Sequence, residues 1–331
     1  MSAPTSPAHR PPLASVVAVL TVVLGVLLIA FGWPAVRTSL HGVPIAVAGP
    51  PAASERVAAE LGQRRPGAFE IVAVPDTAAA EAAIRDREVY GAIDLSGGAP
   101  QVITATAASP LVAQSLQALA AGLAPGVPIR DLVPLPVDDP RGAGLAAGSL
   151  PLVLGGLIGA VLLTRLVRGT ARRVAGALAF AVVGGVALVA ILQFWFGSLA
   201  GDYWLNAGAV ALAVAATSLT LLGLEALLGT VGLGIGAVLV LLIGNPLAGT
   251  TSAPEMLPGW SGELGRYLPP GASTSLLRST AFFDGGGAAF PLLVLVGWLL
   301  IGAALCAVAG ARARTAPSAV PAPVPAPAAQ L

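Results

Sequence analysis

Residues 174–196 read VAGALAFAVVGGVALVAILQFWF, a run without a single charged side chain. An α-helix rises about 1.5 Å per residue, so roughly 20 such residues cross a hydrocarbon core about 30 Å thick. Water is absent from that core, and a helix satisfies its own backbone polar groups there. The run therefore predicts a membrane-spanning helix.

This run lies within a longer apolar block, residues 148–247, whose charged residues are Arg165, Arg168, Arg172, Arg173, Asp202 and Glu225. Charges and turn residues divide the block into four predicted spans, at 150–166, 174–196, 205–224 and 227–247. Two separate apolar runs predict a first and a sixth span. The predicted fold class is an α-helical polytopic membrane protein with six transmembrane helices and an inserted extracellular α/β domain.

Composition agrees with this class. The 331 residues are 56% hydrophobic and 10% charged, whereas soluble proteins carry about 25% charged residues. All basic side chains are arginine, so the lysine of a conventional P-loop is missing. One cysteine and two distant histidines leave no metal-binding or catalytic set, and we predict that the chain is not an enzyme and holds no cofactor. A net charge of +1 gives no reason to expect nucleic acid as a partner.

The segments follow from these changes in composition. We predict a disordered cytoplasmic lead (1–12), transmembrane helix 1 (13–33), an extracellular α/β domain (38–147), transmembrane helices 2–5 (148–249), extracellular interfacial helices (250–290), transmembrane helix 6 (291–311) and a disordered Pro/Ala cytoplasmic tail (312–331).

The segment 38–147 contains 11 of the 16 acidic residues. Short apolar strands at 43–48, 69–74, 90–95, 102–105 and 129–135 alternate with amphipathic helices at 52–65, 77–87 and 111–123. This alternation predicts a small α/β sandwich with a mixed sheet, able to fold without the membrane. Asp138 and Asp139 follow it, and we interpret them as a solvated turn rather than a cation site.

Arginine placement predicts orientation in the cell membrane. Cytoplasmic loops of membrane proteins are enriched in basic residues. Both termini are therefore predicted to be cytoplasmic, on the evidence of six arginines that set the topology: Arg165, Arg168, Arg172, Arg173, Arg312 and Arg314.

Four polar residues fall at predicted membrane depth, where such groups are functional candidates. Glu225 is either a protonatable coupling site or a cytoplasmic turn residue, and we favour the turn. Gln193, Asn206 and Asn245 lie near the outer ends of spans. For these three we favour hydrogen bonding at helix ends over substrate contact.

The region after the fifth predicted span resembles a known family. The residues that carry the resemblance are Gly244-Asn245-Pro246, SAPEMLPGW at 252–260, YLPPG at 267–271 and Leu276-Leu277-Arg278. Together they resemble the ABC type-2 exporter permeases, in particular the phage-infection-protein-like branch with a large outer domain between spans one and two.

The resemblance implies a permease subunit of an exporter for a lipid-like, hydrophobic or membrane-associated compound. It also implies a homodimer or a heterodimer with a second permease in the lipid bilayer, and ATP hydrolysis on a separate cytoplasmic ATPase subunit. The alternative from a different class is a non-transporting membrane protein whose extracellular domain binds a partner, as a receptor or scaffold.

The outer helices at 252–283 are the predicted outward gate. Aromatic and charged side chains alternate there, and prolines prevent the segment from spanning. The candidate gate or pathway residues are Glu255, Trp260, Glu263, Arg266 and Arg278. The two arginines are expected to pair with nearby carboxylates or with a lipid phosphate.

Overall fold

The computed structural model describes residues 12–123 and 126–315. Within these ranges the helices are α1 (Leu13–Arg37), α2 (Pro51–Arg64), α3 (Thr77–Arg85), α4 (Pro110–Leu123), α5 (Ala143–Leu166), α6 (Thr170–Ala190), α7 (Tyr203–Leu228), α8 (Thr230–Ala237), α9 (Ser261–Tyr267), α10 (Pro269–Phe282) and α11 (Ala289–Thr315). The strands are β1 (Val43–Ala48), β2 (Phe69–Val74), β3 (Gly91–Asp94), β4 (Gln101–Thr104) and β5 (Ile129–Asp131).

Five helices of the described chain are long and apolar enough to cross a membrane, which agrees with a helical membrane protein: α1, α5, α6 with its π-helical extension Ile191–Trp195, α7 and α11. The α1 helix is the most exposed of them, and its apolar side chains face outward along most of its length. Such a surface is suited to contact with lipid or with a partner helix rather than with water.

Helix α7 is the centre of the bundle, with 78% of its most apolar window buried. Small residues allow its neighbours to approach closely. A Cβ added at Gly302 of α11 would lie 2.5 Å from the backbone carbon of Leu219, and one at Gly185 of α6 would lie 2.9 Å from the Ala207 carbonyl oxygen. Close approach through small residues is the usual basis of helix packing in membranes.

The predicted fifth span, 227–247, differs from the structure. Helix α7 continues to Leu228, and the chain turns at Gly229, where φ is +65°. Eight α-helical residues are then followed by seven π-helical residues, Val238–Gly244. This apolar segment, Thr230–Gly244, is about 22 Å long at 1.5 Å per residue and shorter than an ordinary span.

The other spans also have ends that differ from those predicted: α1 continues to Arg37, α6 begins at Thr170, and α7 covers Tyr203–Leu228. The differences at α5 and α11 have a clear physical reason. Helix α5 begins at Ala143 rather than 150, because Asp139 caps it: its two carboxylate oxygens accept hydrogen bonds from the backbone N–H groups of Ala143 and Gly144, each at 2.7 Å. Asp139 is buried, so the expected solvated turn is wrong for this residue. Helix α11 continues to Thr315, past the predicted end at 311, and arginines in its last turn suit the negative end of the helix.

A five-stranded sheet in the order β2-β1-β3-β4-β5 lies between α1 and α5 in sequence. Its β3–β4 pair is antiparallel and the other pairs are parallel, so the sheet is mixed, as predicted. Strand β5 ends at Asp131 rather than 135, since prolines follow and cannot donate to a ladder. We call residues 43–131 the sheet region.

Both apolar faces of the sheet region are completed by residues that follow the short apolar segment. Ala253 and Met256 belong to the core that contains Val43, Ile45 and Leu116. Phe283 belongs to the core on the other face. The sheet region is therefore packed onto the segment 250–290, which in turn lies against α7 and α11.

The predicted lead and most of the predicted Pro/Ala tail, residues 1–11 and 316–331, lie outside the described ranges.

Candidate functional site: an arginine-lined cavity

A cavity of about 120 Å³ lies where the sheet region meets α9, α10 and the start of α11. Its charged and phenolic lining comprises Arg87 and Tyr90 from the sheet region, Glu255, and Arg266 and Arg278 from the short helices. Three guanidinium groups and one carboxylate thus border one small space.

The C-terminal end of α3 positions Arg87. The backbone N–H of Arg87 bonds to the Ile84 carbonyl at 3.1 Å, and that of Glu88 to the Ala83 carbonyl at 2.9 Å. These two bonds form a Schellman motif, in which glycine usually occupies the left-handed position. Arg87 occupies it here with φ of +59°. A non-glycine residue in this conformation costs about 1 kcal/mol or more, and such strain concentrates at functional sites.

The Arg87 side chain reaches from the sheet region to α10. Its Nη1 donates to the Ser275 carbonyl oxygen at 2.8 Å and to the Ser279 hydroxyl at 2.5 Å. The guanidinium also lies 5.6 Å from the centre of the Phe283 ring. Burial lowers the pKa of Arg87; Tyr90 and the Glu255 charge oppose this effect, and the charge of Arg266 adds a smaller lowering. All the hydrogen-bond acceptors found for Arg87 in the described structure are neutral oxygens.

Arg278 is 5% exposed, on the face of α10 that points into the fold. Its Nη2 donates to the Thr250 carbonyl oxygen at 2.6 Å. Its Nε has no hydrogen-bond partner among the described residues. Burial, together with the positive charge of Arg87, lowers the pKa of Arg278 to about 10. The group therefore stays charged at neutral pH, without a carboxylate partner in the described part of the chain.

Tyr90 and Glu255 form the acidic side of the cavity. The Tyr90 hydroxyl donates to Oε2 of Glu255 at 2.9 Å. Burial raises the pKa of Tyr90, and the Glu255 charge raises it further, so the phenol remains a neutral donor. This bond joins the sheet region to the loop before α9.

Arg266 occupies the outer edge of the cavity. It pairs with Glu263 at 3.2 Å, and its guanidinium lies 5.0 Å from the centre of the Phe290 ring. The two partners of the ion pair are about half exposed, so the pair contributes less than about 1 kcal/mol to the free energy of unfolding.

The structure brings together three of the five predicted gate residues: Glu255, Arg266 and Arg278. Trp260 is 69% exposed, and Glu263 points to the surface beside Arg266. Of the two partners expected for Arg278, a carboxylate or a lipid phosphate, the described side chains supply no carboxylate, and its hydrogen bond leads to the Thr250 backbone carbonyl. Arg266 pairs with Glu263, one of the carboxylates expected for it.

Sequence reasoning missed Arg87 and Tyr90. Both follow a short amphipathic helix, and neither stands in a recognisable motif. The one local indication is that Arg87 occupies the position after a helix where glycine is usual. It can be recognised only when the residue at which α3 ends is known.

The polar residues at membrane depth lie at two ends of the bundle. The Asn206 amide donates to Gln193 Oε1 at 3.1 Å and to the Ala200 carbonyl oxygen at 2.7 Å, and Asn206 Oδ1 accepts from Thr280 of α10 at 2.8 Å. Gln193 and Asn206 thus bond to helix-end and α10 groups. Asn245 ends the π-helical segment and lines a separate cavity beside α1.

Glu225 is in the last turns of α7 rather than in a turn between helices. It pairs with Arg173 at 3.1 Å. Arg173 also donates from Nε to the Val167 carbonyl at 2.8 Å and from Nη2 to the Thr164 carbonyl at 2.9 Å. The pair therefore ties the α5–α6 connection to the end of α7.

The topology-setting arginines also lie at helix ends. Arg165 is in the last turn of α5, Arg168 is in the connection, and Arg172 is in the first turn of α6. Arg312 and Arg314 are in the last turn of α11.

Among the described residues no group of histidine, cysteine, aspartate and glutamate side chains is arranged to hold a metal ion. Comparisons with protein-family models, with curated proteins and with solved structures found no match. The residues themselves therefore carry the functional argument.

Proposed function

We propose that this protein is the membrane-spanning permease subunit of an ABC-type exporter for a lipid-like, hydrophobic or membrane-associated compound. The observation that carries the proposal is the helix pair α9–α10, which lies between the short apolar segment and α11 and packs against the bundle. Two short helices between spans five and six are what the resemblance to type-2 exporters implies.

The short segment Thr230–Gly244 serves as the fifth crossing in this proposal. It begins beside the α7 end that carries Glu225, and a Cβ at Gly244 would lie 2.9 Å from Pro270 of α10. The segment thus leads from the arginine-rich end of the bundle to the end bearing α10. The bilayer is thinned locally or the segment is extended by its flanking residues, which costs fractions of a kcal/mol per Å.

With six crossings, both termini are cytoplasmic and the sheet region is an extracellular α/β domain. Positive residues favour the cytoplasmic side, and Arg165, Arg168 and Arg172 share one end of the bundle with Glu225 and its partner Arg173. The sheet region packs at the opposite end, against α10.

Labelling of single cysteines tests this topology in a Cys306→Ser background. Glu70→Cys on β2 and Trp260→Cys before α9 occupy exposed positions. Both should react with an impermeant maleimide on intact cells, whereas Ala171→Cys at the start of α6 should react only after lysis. The reverse labelling pattern would contradict the proposed orientation.

Energy would come from a separate cytoplasmic ATPase, and the permease would act as a homodimer or a heterodimer. The α5–α6 connection is only residues 167–169, so the ATPase contact would fall on the arginines in it and directly beside it. Arg168 and Arg172 are exposed there and are the candidates for that contact.

Affinity purification of the tagged chain in mild detergent tests the coupling. A P-loop ATPase should co-purify with the wild-type chain, and the double variant Arg168→Gln, Arg172→Gln should reduce its recovery at least severalfold. Arg56→Gln, on an exposed face of α2, is the matched control and should leave recovery unchanged. Purification of the intact chain without any ATPase would contradict the exporter proposal.

The short α5–α6 connection favours a second candidate from another class, since little chain is available there to dock an ATPase. In that case the six crossings anchor an extracellular domain that acts as a receptor or scaffold. Capture of an extracellular or envelope protein instead of an ATPase in the same purification would support it.

A further inference from the structure

We propose that the cavity bordered by Arg87, Arg266 and Arg278 is a binding site for a phosphate-type oxyanion, supplied either as a lipid headgroup or as a free phosphate compound. This inference does not depend on export, because it concerns the ligand that the cavity holds and not what the protein does with it.

The charge balance of the cavity is the first argument. Glu263 offsets Arg266 at the surface, and Glu255 is the carboxylate among the lining residues. That leaves Arg87 and Arg278 facing one half-buried carboxylate, which accepts a hydrogen bond from neutral Tyr90. A buried positive charge without a partner is strongly unfavourable, so an anion bound here would stabilise the fold.

Unused hydrogen-bonding capacity is the second argument. The Nε–H of Arg278 is buried and unpartnered within the described structure, in a side chain that lines the cavity. Buried polar groups are almost always satisfied by protein, water or ligand, and an orphan donor requires an explanation. The Arg278 side chain lines this cavity and a second one beside α4, so an anionic oxygen that reached its Nε–H from the cavity would satisfy the donor.

Size and geometry select the class of anion. The cavity, about 120 Å³, is roughly four times the volume of about 30 Å³ that water occupies per molecule in the liquid. It suits a compact group and is well below the several hundred Å³ of a typical drug-sized site. Guanidinium groups from three separate elements line the cavity, and arginine binds the oxygens of a phosphate in a bidentate manner.

The way the site is assembled is the third argument. Arg87 comes from the sheet region in a strained left-handed conformation, and Arg278 comes from α10. The two like charges repel each other, and Glu255 supplies a single negative charge to offset them. Binding of one anionic ligand by both arginines would explain why they share the cavity and why Arg87 keeps a strained backbone.

Titration of the purified full-length chain in a phosphate-free, uncharged detergent tests the proposal, with the thermal unfolding midpoint as readout. The probes are inorganic phosphate and short-chain phosphatidic acid; acetate and a diacylglycerol of equal chain length are the controls. Phosphate or phosphatidic acid should raise the midpoint in a saturable manner, and the controls should not. Response to phosphatidic acid alone assigns a lipid headgroup, and response to phosphate alone or to both assigns a site open to free phosphate compounds.

Substitutions of the lining arginines test whether the rise in the unfolding midpoint comes from binding in this cavity. Arg278→Met and Arg87→Met should each weaken the apparent affinity about ten- to a hundredfold, the value of one or more hydrogen bonds to a charged group. Arg56→Met, remote on α2, should bind as the wild type does. Without ligand, Arg278→Met should unfold at the wild-type temperature or above it, since it removes an unbalanced buried charge.

Three results would overturn the inference: no response to either phosphate probe, an equal response to acetate or diacylglycerol, or a response that both methionine variants retain. Should Arg278→Met fail to fold, Arg87→Met and Arg278→Lys decide the matter. Lysine keeps the charge but not the fork, and it should bind more weakly than arginine.

Discussion

At the scale of single residues, burial decides what each charge does. Asp139 has the sequence context of a solvated turn, yet its carboxylate is buried and caps α5 through two backbone N–H groups. Asp138, next to it, is exposed. Arg278 and Arg266 are equally basic in sequence, but Arg278 is buried with no carboxylate partner among the described residues, and Arg266 pairs with Glu263 at the surface. Neighbouring or similar residues can therefore have quite different energetic roles.

Replacing Asp139 by alanine should destabilise the protein by about 1 to 2 kcal/mol, because two N–H groups at the start of α5 lose their acceptor. The loss is measured as a lower thermal unfolding midpoint of the full chain in detergent. Asp138→Ala is the matched control and should change the stability by less than about 0.5 kcal/mol. Equal losses in the two variants would refute the capping role.

At the scale of secondary-structure elements, small residues set how closely the helices approach. Two of the three glycines of helix α11 have opposite surroundings. A Cβ at Gly302 would lie 2.5 Å from the backbone of α7, whereas one at Gly297 has open space within 4 Å. The place of each glycine on the helix surface, rather than the residue type, therefore determines whether it allows close packing against α7.

Gly302→Ala should push α7 and α11 apart and destabilise the protein by about 1 to 3 kcal/mol, as overpacking of a close contact does. Gly297→Ala should be neutral or slightly stabilising, because alanine is the better helix former. Thermal unfolding of both variants in the same detergent makes the comparison. A stable Gly302→Ala protein would show that the two helices are not in close contact.

At the scale of the whole molecule, the sheet region and the segment 250–290 depend on each other. Met256 and Ala253 complete one apolar face and Phe283 completes the other. Gly286 belongs to the same junction, since a Cβ there would lie 2.0 Å from the Arg85 carbonyl oxygen. The sheet region is therefore expected to be less stable when it is separated from the rest of the chain.

A fragment of residues 38–137 should be less stable than the same residues in the full chain, because it exposes both of these apolar contacts. Hydrogen exchange of the β1 and β3 amides measures the difference directly. In the full chain, Met256→Ala should lower the free energy of opening measured at the same amides by about 2 to 5 kcal/mol, the usual cost of truncating a buried methionine. Equal protection in fragment and full chain would show that the sheet region is self-sufficient.

The sequence by itself determined the features that depend on local patterns. Apolar runs predicted the five long helices, because the length needed to cross a bilayer can be counted along the chain. Alternation of apolar strands with amphipathic helices predicted the mixed sheet and most of its strand positions. It could not predict the turn at Gly229 or the short π-helical segment, since the apolar run continues through both.

Only the tertiary structure decided the cavity. Arg87 bonds to residues 188 and 192 positions further along the chain, and Tyr90 to one 165 positions away. No local periodicity relates residues so distant. They meet because the sheet packs onto α10, and that packing depends on apolar contacts from separate parts of the chain. Burial then lowers the pKa of Arg278 and leaves its Nε without a partner among residues 12–123 and 126–315, and both are properties of the assembled fold rather than of a single stretch of sequence.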